Sequence, residues 1–138
     1  MRHHSPFLIL LAGLASLAGW LLSHISLLGR VGISVAYREY GFLKTWWMGA
    51  GLILAVWVAI YWMHLVSSRR WPRRRAMHLV TAVLAVLGLY ATYADFRGDL
   101  SHRWLGERFH LGAYLFWIGL VIVSMRFALA PKQKAATV

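Results

Sequence analysis

The residues able to do chemistry are few: seven histidines, four carboxylates and no cysteine. His24, His64, His78 and His110 each stand at the edge of a long apolar stretch. Two neutral imidazoles from different helices can hold one haem iron. His64 with His78, and His24 with His110, would form two such pairs for haem b, one near each face of a membrane. The plainer alternative is that the four are interfacial, hydrogen-bonding at helix ends and reaching toward water. A metal ion or a quinone is the remaining use of such positions.

A second constellation lies further along the chain. Asp99 and His102 are three residues apart, and so are Glu107 and His110. On helical turns each pair puts a carboxylate and an imidazole on one face. Mixed oxygen and nitrogen donors of this kind suit a divalent metal such as zinc, iron or manganese. Arg97, Arg103 and Arg108 are interleaved with them. They offer the competing reading, an ion-pair network with Asp95, Asp99 and Glu107.

Other chemistries find no support. Ser23-His24 and Ser101-His102 are sequence neighbours, and no nucleophile-elbow pattern accompanies them. Glycine-rich phosphate loops are absent. Without cysteine there is no disulfide framework and no thiolate site. The chain reads as a non-enzymatic component more readily than as an enzyme.

The elements that must position these residues are membrane spans. The chain has 138 residues, 60% of them hydrophobic, with mean hydropathy +0.59. Crossing a hydrocarbon core takes about 20 helical residues. Four stretches qualify, at about 6–28, 46–66, 76–94 and 109–130. None alternates with a strand period, and backbone groups in lipid must be satisfied internally, so helices are expected. Met1-Arg2-His3-His4 and Ala15-Ser16-Leu17-Ala18 have the look of signal-peptide parts. The apolar run continues past Ala18, so the segment is read as a span. The expectation is an all-α integral membrane protein, one domain over 1–138, built as an up-down four-transmembrane-helix bundle. An arginine-rich loop at 67–75 and opposite loops at 29–45 and 95–108 connect the spans.

Charge orients the bundle. The run Arg69-Arg70-Trp71-Pro72-Arg73-Arg74-Arg75 joins the second and third spans. Placing it in the cytoplasm puts Arg2, Arg126, Lys132 and Lys134 there too, with no acid. All four acids, Glu39, Asp95, Asp99 and Glu107, then lie on the opposite side. The positive-inside rule gives an N-in/C-in, multi-pass protein of the bacterial inner membrane. Pro72 turns the chain, and Trp71 suits the headgroup layer. The arginines also face anionic lipid headgroups. The +11 formal charge is thereby explained without nucleic acid.

Packing signals follow helical spacing. The first span offers the small residues Ala12, Ser16, Gly19 and Ser23. The third offers Thr81, Ala85, Gly88 and Thr92, with His78 and Asp95 one turn further out. Small residues let membrane helices approach closely. The second span carries Trp57, Tyr61 and His64; the fourth carries His110, Tyr114, Trp117, Val121 and Ser124. No charged residue sits mid-span, which argues against a cation-coupled transporter. Small four-helix multidrug exporters are similar in size, but their first-helix glutamate has no counterpart here.

Two segments carry a resemblance. They are Tyr37-Arg38-Glu39-Tyr40-Gly41-Phe42-Leu43-Lys44-Thr45-Trp46-Trp47 and Asp95-Phe96-Arg97-Gly98-Asp99-Leu100-Ser101-His102-Arg103-Trp104-Leu105-Gly106-Glu107-Arg108-Phe109-His110. The chain resembles a group of short bacterial four-helix membrane proteins, some called cytochrome d ubiquinol oxidase subunit II-like. The resemblance covers most of the chain and implies a respiratory membrane. It carries over no haem, quinone or site residues. The leading expectation is an accessory or structural component of a larger membrane complex, or a homo-oligomer. The alternatives are a haem b redox protein and a metal-dependent protein with its site on the outer face.

Overall fold

The computed structural model describes residues 5–24, 45–70, 74–98 and 106–130. They form four α-helices: α1 (Ser5–Ser23), α2 (Trp46–Arg70), α3 (Arg74–Gly98) and α4 (Glu107–Ala128). No strand occurs among the described residues. All four helices are long and apolar enough to cross a membrane. At 1.5 Å per residue, the 19 residues of α1 extend roughly 28 Å. The chain is a four-helix bundle of the multi-pass membrane class.

The bundle is lopsided. α1 packs on α2 and α4, and α2 also reaches α4, so these three form a body. α3 lies chiefly against α4 and barely touches α2, although a short connection joins the two. A third of each candidate span in α1, α2 and α4 is buried, against 17% in α3. The outward residues of α3, including Val80, Val83, Leu84, Leu87 and Tyr90, are accordingly exposed. In lipid this carries no hydrophobic penalty, because acyl chains are as apolar as leucine.

Glycines set the closest approaches and fix the helix directions. Gly19 of α1 abuts the backbone of Trp46 and Ala50, so the end of α1 meets the start of α2. Gly112 of α4 faces Ala18 and Leu22, again an antiparallel pair. Gly88 of α3 lies under the Trp117 ring, whose Nε1–H donates to Thr92 Oγ1 at 2.9 Å. Between α2 and α4 the contacts advance together, Trp57 to Phe116 and His64 to Ser124, so these two run parallel. The sum is an up-down arrangement. Its core joins Leu11, Ala15, Ala18 and Leu22 of α1 to Ile53, Trp57 and Tyr61 of α2, with Leu120 and Val123 of α4.

Several expected boundaries and faces shift. α2 runs on to Arg70, and α3 already begins at Arg74. α3 also continues past Ala94 to Gly98, placing Asp95 and Arg97 on a helix rather than in a loop. Phe96 explains that extension: it is buried against Phe109, His110 and Tyr114 of α4. On α1 the buried residues are Leu11, Ala15, Ala18, Gly19, Leu22 and Ser23, so Gly19 and Ser23 of the expected row face inward while Ser16 is exposed. The Ser16 hydroxyl donates to Ala12 O at 2.9 Å, so it is satisfied within its own helix and can face lipid. On α2 the expected row holds, with Trp57, Tyr61 and His64 all buried.

Candidate functional site

The main polar site is built where α2, α3 and α4 meet at the arginine-bearing end. His64 comes from α2, His78 from the second turn of α3, and Ser124 from α4; all three are fully buried. His64 Nδ1 and His78 Nδ1 are 2.7 Å apart. His64 Nε2 lies 3.2 Å from Ser124 Oγ, and His78 Nε2 lies 3.1 Å from Ser68 Oγ. Ser68 is four residues after His64, hence one turn along the same face of α2. Phe127 of α4 covers both imidazoles, at 5.5 Å and 5.6 Å between ring centroids.

Hydrogen-bond accounting assigns direction. Ser124 Oγ–H donates to Leu120 O at 2.8 Å. Its oxygen therefore accepts from His64 Nε2–H. A neutral His64 then presents Nδ1 as an acceptor, and His78 Nδ1–H donates to it. His78 Nε2 is left to accept from Ser68 Oγ–H. Four side chains thus form one continuous relay from Ser68 through His78 and His64 to Ser124. An unpaired polar group buried here would cost about 1–3 kcal/mol; each ring nitrogen has a partner instead.

This geometry revises the interfacial reading of His64 and His78. They do not reach toward water; they pair with each other inside the bundle. It also bears on the haem reading. Two axial imidazoles lie on opposite faces of the iron, with nitrogens about 4 Å apart at metal–nitrogen lengths of about 2 Å. At 2.7 Å, His64 and His78 are hydrogen-bond partners. His24 and His110 have different company. His24 is exposed, donates from Nδ1 to Trp20 O at 2.8 Å and packs on the Trp20 ring. His110 stacks on Phe96 with centroids 4.3 Å apart.

The other end holds a second, open site. A cavity of about 700 Å³ is lined by Tyr93, Phe96, Arg97, Glu107, His110, Leu111 and Tyr114. Glu107 and His110 thus share a cavity, as their spacing suggests. Gly106 makes this possible by preceding α4 with φ 92°, a conformation that side chains rarely adopt. Its carbonyl accepts from Phe109 N–H and His110 N–H and starts the helix there. Glu107 then sits in the first turn, where a carboxylate complements the helix dipole. Arg97 closes α3 and lies 5.0 Å over the Tyr93 ring. Among the described residues no group of three or more His, Asp or Glu side chains converges on a metal position. Asp99 and His102, the other half of the expected metal set, lie outside the described residues, as do Glu39, Trp71, Pro72 and Arg73. Arg69 and Arg70 close α2, and Arg74 and Arg75 open α3.

Sequence reasoning paired His64 with His78 but missed the serines that complete the site. The signal for Ser68 was its i, i+4 relation to His64. Ser124 stood on the marked face of α4, but its partner follows only from the parallel packing of α2 and α4. No protein-family model, curated protein or solved structure matches the chain.

Proposed function

We propose that this protein is an accessory helical component of a larger membrane complex, set N-in and C-in in the bacterial inner membrane. The observation that carries the reading is the uneven burial of the bundle. α3 has half the buried share of its three companions and offers a continuous aliphatic face beside a closed, self-satisfied interior. The indole N–H groups of Trp57 and Trp117 and the four relay side chains all have partners within the bundle. That is the construction of a packing unit. The arginine run and the absence of acids beside it support the orientation by the positive-inside rule. The resemblance to short four-helix proteins with an oxidase-related label favours a respiratory membrane.

The experiment is purification from native membranes in mild detergent, with photo-crosslinkers at Leu84 and Leu87. Recovery of a larger assembly crosslinked through α3 supports the proposal. Recovery of a lone chain, with crosslinks to lipid only, overturns it.

A further inference from the structure

The contact between α2 and α3 is slight along most of their length. At the arginine-bearing end, His78 of α3 is nevertheless bonded to both His64 and Ser68 of α2. This site is a proton acceptor as well as a bond. We propose that the His64–His78 pair is a proton-binding latch, which holds α3 against α2 with at most one added proton and releases it on a second.

The proton count gives the mechanism. In the neutral pair, one proton lies between the two Nδ1 atoms and the other on His64 Nε2. A first added proton goes to His78 Nε2. The Ser68 hydroxyl turns from donor to acceptor, and the Nδ1–H to Nδ1 bond is untouched. A second added proton has only His64 Nδ1 to occupy. Two N–H groups would then face each other across 2.7 Å, with two positive charges in a buried site. The bond between the imidazoles becomes a repulsion, and no extensive α2–α3 packing exists to resist it.

Among the described residues no carboxylate stands at this end of the bundle to offset that charge. On α2 the neighbours are Ser68 and Tyr61, the latter at 5.1 Å from the Phe127 ring that covers the pair. On α3 the nearest charge is Arg75, one turn before His78. On α4 the charged residue of the last turn is Arg126, whose guanidinium lies 4.4 Å over Phe7 of α1. The described carboxylates, Asp95 and Glu107, stand at the opposite end of their helices.

The test measures the α2–α3 distance against pH. The chain has no cysteine, so Met63→Cys and Leu79→Cys, both at exposed positions, supply the only spin-label sites. The labelled full chain in lipid nanodiscs is moved from about pH 8 to about pH 4, past the range over which free imidazoles gain charge. The short distance should give way to a population longer by about 5 Å, a clear departure from helix contact at roughly 8–10 Å between axes. His64→Asn should stay short at both pH values, because an amide oxygen accepts from a doubly protonated His78. His78→Asn should do the same through amide rotation, and it serves if the first variant does not fold. An unchanged wild-type distance overturns the proposal. So does equal lengthening in a folded Asn variant, or a stoichiometric metal ion that His64→Asn releases.

Discussion

The indole of Trp57 occupies the space that a side chain at Gly119 would need. Trp57 is fully buried, and its Nε1–H donates to Phe116 O at 3.1 Å. The largest core residue of α2 is therefore seated in a notch cut into α4. Gly119→Ala should push the ring off that seat and cost about 1–3 kcal/mol, as over-packing does. Gly51→Ala is the control. Nothing lies within 4 Å of its added methyl, so higher helix propensity should leave stability unchanged or raise it by up to about 1 kcal/mol. Reversible unfolding in mixed micelles compares the two.

Ser124 does two jobs, accepting from His64 and donating to Leu120 O. Ser124→Ala should leave the His64 Nε2–H buried without its acceptor, at about 1–3 kcal/mol. His64→Leu in the same background should then cost less than it does alone, because the orphaned donor is gone. A double-mutant cycle on unfolding free energies measures that coupling, and strict additivity would count against the relay.

Trp117 and Thr92 form the hydrogen bond that helps hold α3 on α4. Trp117→Phe removes the donor and also shrinks the ring that covers Gly88. A loss of about 1 kcal/mol for the bond is expected, with a further packing loss. Thr92→Val keeps the ring over Gly88 but leaves its N–H without the acceptor, at about 1–3 kcal/mol. The measurement is the unfolding midpoint of each variant. A Trp117→Phe midpoint equal to that of the native chain would mean that neither the bond nor the ring over Gly88 contributes.

The proposed orientation rests on the arginines between α2 and α3. Neutralising Arg69, Arg70, Arg73, Arg74 and Arg75 to Gln should produce a mixed population of insertion directions, whereas the native sequence should give one. Reporters fused after Val138 read this directly. A periplasmic reporter on the native sequence would reverse the proposed topology.

Much of the scaffold was legible because hydrophobic length is a strong signal. The four spans and the inward rows of α2 and α3 could be read from spacing. The α1 row was legible in part: Gly19 and Ser23 face inward, but Ser16 does not. Ser16 is small, but its hydroxyl is satisfied by Ala12 O, and a satisfied small residue can face lipid as readily as a neighbour helix. The helix ends also escaped. Asp95 and Arg97 look like loop residues, yet buried Phe96 keeps that turn helical. The site was half legible: His64 and His78 stood out by type, while their mutual bond and Ser124's part depend on which helices touch, and spacing within a single helix does not carry that.

The lopsided packing has a consequence for biogenesis. α1 and α2 are contact partners and leave the ribosome in succession, so their interface can close at once. α3 leaves next, but the helix it leans on, α4, has not yet been made. In a membrane, Gly88, Thr92 and the rest of the α4-facing side of α3 would meet lipid in that interval, with the bonds of His78 to His64 and Ser68 joining α3 to what came before. Insertion of this chain should therefore pause at a three-span stage whose stability is set by His64 and His78, and arrival of α4 should end the pause.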